Sequence, residues 1–178
     1  MPVPDIKRAD EIMQNVVDSW RAVRRPDDSD IVIADPPDSE IIRSYFSGRQ
    51  AEDVDLWNGQ IAQEHPFDYF TPNASRYFIQ AYLLYALDIR KFLDQVVPRC
   101  CDTPLIVLVS CLAKKNAPSK NPEFTLAQIC CIVDFLGFVR SHLDFYCYKD
   151  ESKYIDRGIA SWVAAKSSRA DSPPRTPQ

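Results

Sequence analysis

Six cysteines are the side chains here best able to do chemistry: Cys100 and Cys101, Cys111, Cys130 and Cys131, and Cys147, with His142 nearby. Structural zinc sites place paired ligands two to four residues apart so that both reach one ion. Vicinal pairs do not, and Cys130, Cys131 and Cys147 lie in or beside apolar helical patterns, where free cysteine packs as a small hydrophobe. No metal ligand set is expected. A cysteine nucleophile needs a histidine, but His65 precedes Pro66 in a loop and His142 sits late in a helix, so a pair could form only through the fold. Asp28-Ser29-Asp30 and Asp53-Val54-Asp55 lack the longer ligand series and central glycine of a divalent-cation loop. No catalytic residue and no cofactor are expected.

Arg76 is the one basic residue in a strongly apolar stretch. Asn73, Arg76 and Gln80 fall at spacings of three and four, with Asp88 about two turns on, so they draw a polar stripe along one helix. A buried arginine needs a partner, and we expect a carboxylate from the acidic N-terminal third. The alternative is a ligand pocket made by Arg76, Tyr77, Gln80 and Tyr82, flanked by Tyr69.

Charge is unevenly spread. Residues 1–70 hold fifteen Asp and Glu against seven Lys and Arg, and residues 71–178 hold ten against fourteen, so −8 and +4 sum to the net −4. The acid falls in three clusters: Asp27, Asp28 and Asp30; Asp35, Asp38 and Glu40; and Glu52, Asp53 and Asp55. Such a face repels nucleic acid and anionic membrane and attracts cationic proteins. The N-terminus has no basic segment leading into an apolar core. Apolar runs such as Leu105–Val109 and Ile129–Val133 fall far short of the ~20 residues that span a bilayer. We expect a cytoplasmic protein with reduced cysteines and with neither membrane nor nucleic acid as partner.

The elements that position these residues are helical. Four glycines against fourteen prolines in 178 residues suit rigid joints between helices better than phosphate-cradling loops. Met13, Val16, Val17, Trp20 and Val23 place an amphipathic helix over Ile6–Val23. An acidic loop follows over residues 27–38, with Ile31-Val32-Ile33 extended. Ser39–Phe46 is a short helix closed by Gly48 in the left-handed conformation, and a turn at Val54–Trp57 sends Leu56 and Trp57 to the core. Thr71 and Pro72 start a helix apolar on nearly every side, expected to pass Asp88 toward Leu93 before Pro98. Leu105–Val109 is β-branched enough for a strand, but it follows Thr103-Pro104 and has no partner strand, so we read it as a short buried helix. Thr125 with Gln128 forms a capping box and Phe124 with Ile129 a staple, opening a helix over Leu126–Tyr146 in which Gly137 admits a close neighbour. Glu151–Lys166 is the last helix, and 167–178 reads as a disordered tail.

The segment Phe70-Thr71-Pro72-x-Ala74-x-Arg76-Tyr77, continuing into Ala81-Tyr82-Leu83-Leu84, resembles the signature of an uncharacterised bacterial domain family of unknown function. Phe124-Thr125-Leu126-Ala127-Gln128 is similar to a helix start that recurs there, and the likeness spans about residues 35–165. It departs at Gln80, where the family often carries the proline behind an expected kink. The resemblance implies a small soluble helical protein and carries no catalytic residues to transfer.

The expectation is therefore a single all-α domain over residues 1–166, with five to seven helices around the two buried helices that start at Thr71 and Thr125. Direct contacts between them should join Phe78, Ala81, Tyr85 and Ile89 to Ile132, Phe135, Leu136 and Val139. In function we expect a non-enzymatic interaction module, by analogy of size and charge an immunity or antitoxin-type protein, binding a basic protein through Asp27, Asp28, Asp30, Asp35, Asp38, Glu40, Glu52, Asp53 and Asp55. The alternative is a small-ligand binder or enzyme built around Arg76.

Overall fold

The computed structural model describes residues 3–33, 39–56, 65–94, 103–115, 124–146 and 152–170. Among these, seven α-helices and no strand are present. Helix α1 (Ile6–Trp20) opens with the Asp5 carboxylate accepting from the Arg8 amide and buries Ala9, Ile12, Val16 and Trp20 as one stripe. It stops three residues short of Val23, whose amide turns back to the Trp20 carbonyl. Helix α2 (Ser39–Phe46) has the expected bounds, and Gly48 follows it at φ 72°. Of Ile31–Ile33, expected to be extended, Val32 meets Phe70 through an isolated antiparallel bridge, but Ile31 keeps helical dihedrals as the end of the Asp28–Asp30 turn.

Helix α3 (Pro72–Leu87) starts as expected, with the Thr71 hydroxyl accepting from the Ala74 amide. It does not run to Leu93. Asp88 leaves the helical region and its carboxylate accepts from the Lys91 amide, so it caps a separate helix α4 (Ile89–Leu93). Aspartate competes with the helix for backbone amides and therefore favours such a joint over an interior position.

The β-branched run is helical: α5 (Thr103–Val109) leads into a wide π turn at Ser110–Lys115. Helix α6 (Leu126–Ser141) carries the full Thr125–Gln128 capping box. It ends five residues before Tyr146, because His142 leaves helical geometry and the chain continues as turns. Helix α7 (Ser152–Ala170) passes Lys166, so residues 167–170, expected in the tail, are helical. Trp57, Cys100, Cys101, Cys147 and residues 171–178 lie outside the described residues, and among those described no helix is long and apolar enough to cross a membrane.

The helices close a circuit: α1 packs on α3, α3 on α5, the π turn after α5 on α7, α7 on α6, and α6 back on α1. This corrects the expected face-to-face packing of the two apolar helices. Both pack instead on α1, which lies between them through its Ala9–Trp20 stripe, and α6 packs still more extensively on α7. Phe78 instead joins Phe46 and Phe70, with ring centroids 4.7 and 5.5 Å away. Phe124 sits between Trp20 and Trp162, at 6.4 and 5.6 Å. Exposed ion pairs tie the outside, where each contributes little. Arg90 grips both oxygens of Asp10 at 2.6 and 2.7 Å and holds that carboxyl below its ordinary range; Arg140 reaches the two oxygens of Asp156 at 2.7 and 3.5 Å and ties α6 to α7.

The close approach expected at Gly137 is found at Gly158. A Cβ at Gly137 would meet nothing within 4 Å, whereas one at Gly158 would lie 2.8 Å from the Ala113 Cα. One turn on, the Trp162 indole donates to the Leu112 carbonyl at 2.9 Å, so α7 grips the π turn at both levels. Gly158→Ala should therefore lose about 1–3 kcal/mol through overpacking. Gly137→Ala should gain about 0.5–1 kcal/mol from helix propensity and a less flexible unfolded chain. Urea unfolding of the two variants measures both, and their opposite signs are the expected outcome.

Candidate functional site

Two of the three acidic clusters converge on the first turns of α3. The Thr71 hydroxyl donates to the Asp30 carbonyl at 2.6 Å, and the Asn73 amide to the Asp30 carboxylate at 2.9 Å. One turn further, the Tyr77 hydroxyl donates to Gln50 Oε1 at 2.6 Å and accepts from the Ala51 amide at 3.3 Å. Burial raises the Tyr77 pKa, so the phenol stays protonated as the donor Gln50 needs. The segments meet beside it, because the Gly48 amide donates to the Asp28 carboxylate and the Arg25 guanidinium to the Arg49 carbonyl.

The nine acids expected at a partner surface divide by what they already hold. Asp28 pairs with Arg25, whose hydrogen bond keeps its pKa low. Asp30 holds Asn73, Asp53 accepts from the Gln50 amide at 3.3 Å, and Glu40 pairs with Arg43 at 2.7 Å. Asp27, Glu52 and Asp55 are exposed, and no described residue engages the Asp27 or Glu52 carboxylate. Asp35 and Asp38 lie outside the described residues.

Beside Glu52 and Asp55 opens a cleft of about 490 Å³ between the 51–56 segment, α1 and the α3–α4 joint. Its floor is apolar, with Met13, Val54, Leu84 and Tyr85 only partly covered. Among the described residues its rim carries Glu52, Asp53, Asp55 and Asp88 against one cation, Lys91. Ala81, Leu84, Tyr85 and Asp88 share a face at three- and four-residue spacing, which was legible in the sequence. What was not legible is that the described residues cover this face only in part, since α3 is apolar on nearly all its sides.

The four residues of the alternative pocket do not converge. Arg76 is half-buried and hydrogen-bonds Gln128 Oε1 through Nε at 3.2 Å; among the described residues it meets no carboxylate, which corrects the expected ion pair. Tyr77 faces the 50–51 segment. Gln80 donates to the Tyr77 carbonyl of its own helix at 2.9 Å. Tyr82 is fully buried against Phe67, its hydroxyl has no hydrogen-bond partner among the described residues, and burial drives its pKa up.

A neutral amide replaces the carboxylate because Gln128 is itself fully buried and already committed. Its Oε1 also accepts from the Thr125 amide at 3.0 Å, and its Nε2 donates to the Ser19 carbonyl at 3.2 Å. A carboxylate there would keep the first contacts but set an oxygen against the Ser19 carbonyl.

The described cysteines, Cys111, Cys130 and Cys131, are unbridged. Burial raises the Cys131 pKa, and its thiol lies 3.3 Å from the Ser19 hydroxyl, so it is held as the poorly nucleophilic thiol. His142 Nδ1 contacts the Phe138 carbonyl at 2.7 Å and His65 is exposed at φ 46° before Pro66. Among the described residues, no group of three or more His, Cys, Asp or Glu is placed to hold a metal ion. No family model, curated protein or solved structure matches this chain.

Two variants separate the two polar anchors of α3. Gln128→Ala strips partners from Arg76, Thr125 and Ser19 together and should cost about 2–4 kcal/mol in urea unfolding. Tyr77→Phe should cost only about 1–2 kcal/mol, with faster amide hydrogen exchange confined to residues 50–54.

Proposed function

We propose that this chain is a non-enzymatic protein-interaction module that recognises a basic protein through the face formed by the Asp27–Asp30 loop and the Glu52–Asp55 segment. The observation that carries this is the convergence of both segments on α3, which carries exposed Asp27 on one segment and exposed Glu52 and Asp55, beside a partly apolar cleft, on the other. Opposite charge raises the encounter rate and penalises wrong partners, while apolar contact beneath it supplies affinity. An immunity or antitoxin-type pairing, with a nuclease-like toxin as the basic protein, is the form of this function that the chain's size and charge suit.

The carboxylates that recognise the partner are the exposed ones, and no described residue engages those of Asp27 and Glu52. Reversal of Asp28 or Asp53 would disturb the scaffold, so the informative variant is Asp27→Lys, Glu52→Lys, Asp55→Lys. Purified from its host, the wild-type chain should bring down a protein with a basic surface, and added salt should weaken the complex. The triple variant should keep its melting temperature and lose that protein. Retention of the partner by the folded triple variant at every salt concentration would remove the proposal.

A further inference from the structure

The cleft between the 51–56 segment and the α3–α4 joint has a chemistry of its own, beyond the charge of the face around it. We infer that it is the docking site for a segment of a partner protein that carries a large apolar side chain next to a lysine or arginine. The inference rests on the interaction function proposed above and names what that partner presents.

Three features define the occupant. Met13, Leu84 and Tyr85 leave an apolar floor partly open to water, and covering such a surface is favourable in proportion to its area. An apolar anchor therefore sits there. The rim is charged on one side only in effect. At the joint, the Asp88 carboxylate already accepts from the Lys91 amide and has the Lys91 chain beside it in the cleft wall. At the other end, Glu52 and Asp55 are exposed and Asp53 is adjacent. A cation is accordingly drawn to the Glu52–Asp55 end and repelled by Lys91 at the joint, which orients the segment. An acidic segment is refused along most of the rim, and a uniformly polar basic one forfeits the floor.

Short synthetic peptides serve as the probe, followed by amide shifts of the isotope-labelled full chain. The first carries leucine flanked by lysines, the second replaces that leucine with serine, and the third replaces the lysines with glutamates. The first should shift residues 51–56 and 81–88, and the other two should bind at least ~10-fold more weakly. Glu52→Lys with Asp55→Lys, and separately Leu84→Lys, should each weaken the first peptide by a similar factor. Asp156→Lys, on α7 and outside the cleft lining, should not. The surface double reversal keeps the test valid if Leu84→Lys fails to fold. Shifts centred on Asp27–Asp30, with the cleft variants binding normally, would overturn the docking site and leave the interaction function standing. Equal binding of the leucine and serine peptides would overturn the apolar anchor, and so the inference. No shift with any basic peptide, together with no basic protein recovered from the host, would overturn both.

Discussion

A single buried amide, that of Gln128, holds the arrangement on which the rest of the molecule depends. It closes the capping box of α6, satisfies the Ser19 carbonyl near the end of α1 and receives the Arg76 side chain of α3. The last carbonyls of a helix have no partner of their own and must find one if buried. Gln128 supplies it for α1 while fixing where α6 begins. Both ends of its side chain are occupied, and a fully satisfied polar group in a low-dielectric interior specifies one register where apolar surfaces alone would tolerate several. With α1 locked between α3 and α6, the Trp20 indole reaches the Arg76 carbonyl at 2.6 Å and reinforces the same junction.

From that junction the two ends of α3 acquire different tasks. Its N-terminal turns bind backbone and side chains of the acidic loops through Thr71, Asn73 and Tyr77, so these loops are carried on a rigid helix. Its C-terminal end breaks at Asp88, and α4 is pinned to α1 by Arg90 and Asp10. The cleft lies between the two tasks. Its walls come from the pinned joint and from the segment that Tyr77 holds, which keeps its shape independent of any occupant.

Acidity in the N-terminal third thus has two uses. Asp28, Asp30 and Asp53 are spent on Arg25, Asn73 and the Gln50 amide, interactions that shape the loops. Exposed Asp27, Glu52 and Asp55 bear the charge that a partner would feel at a distance. Formal charge alone does not distinguish the groups, because the distinction lies in which backbone amides and cations the fold brings near.

Local signals determined the helices. The caps at Thr71 and Thr125, the turn at Gly48 and the helical reading of Leu105–Val109 each depend on residues a few positions apart, and the structure places them as the sequence implied. The all-α architecture follows from the same short-range chemistry. Tertiary structure alone decided what stands between the elements. Nothing near Gly137 or Gly158 states which of them faces another backbone, since that depends on where the π turn passes. Nothing near Arg76 states that Gln128, 52 positions away, is its partner among the described residues. The cleft was hidden for the same reason. A helix apolar on most faces reveals that it needs neighbours, but only the packed chain reveals which face each described neighbour covers.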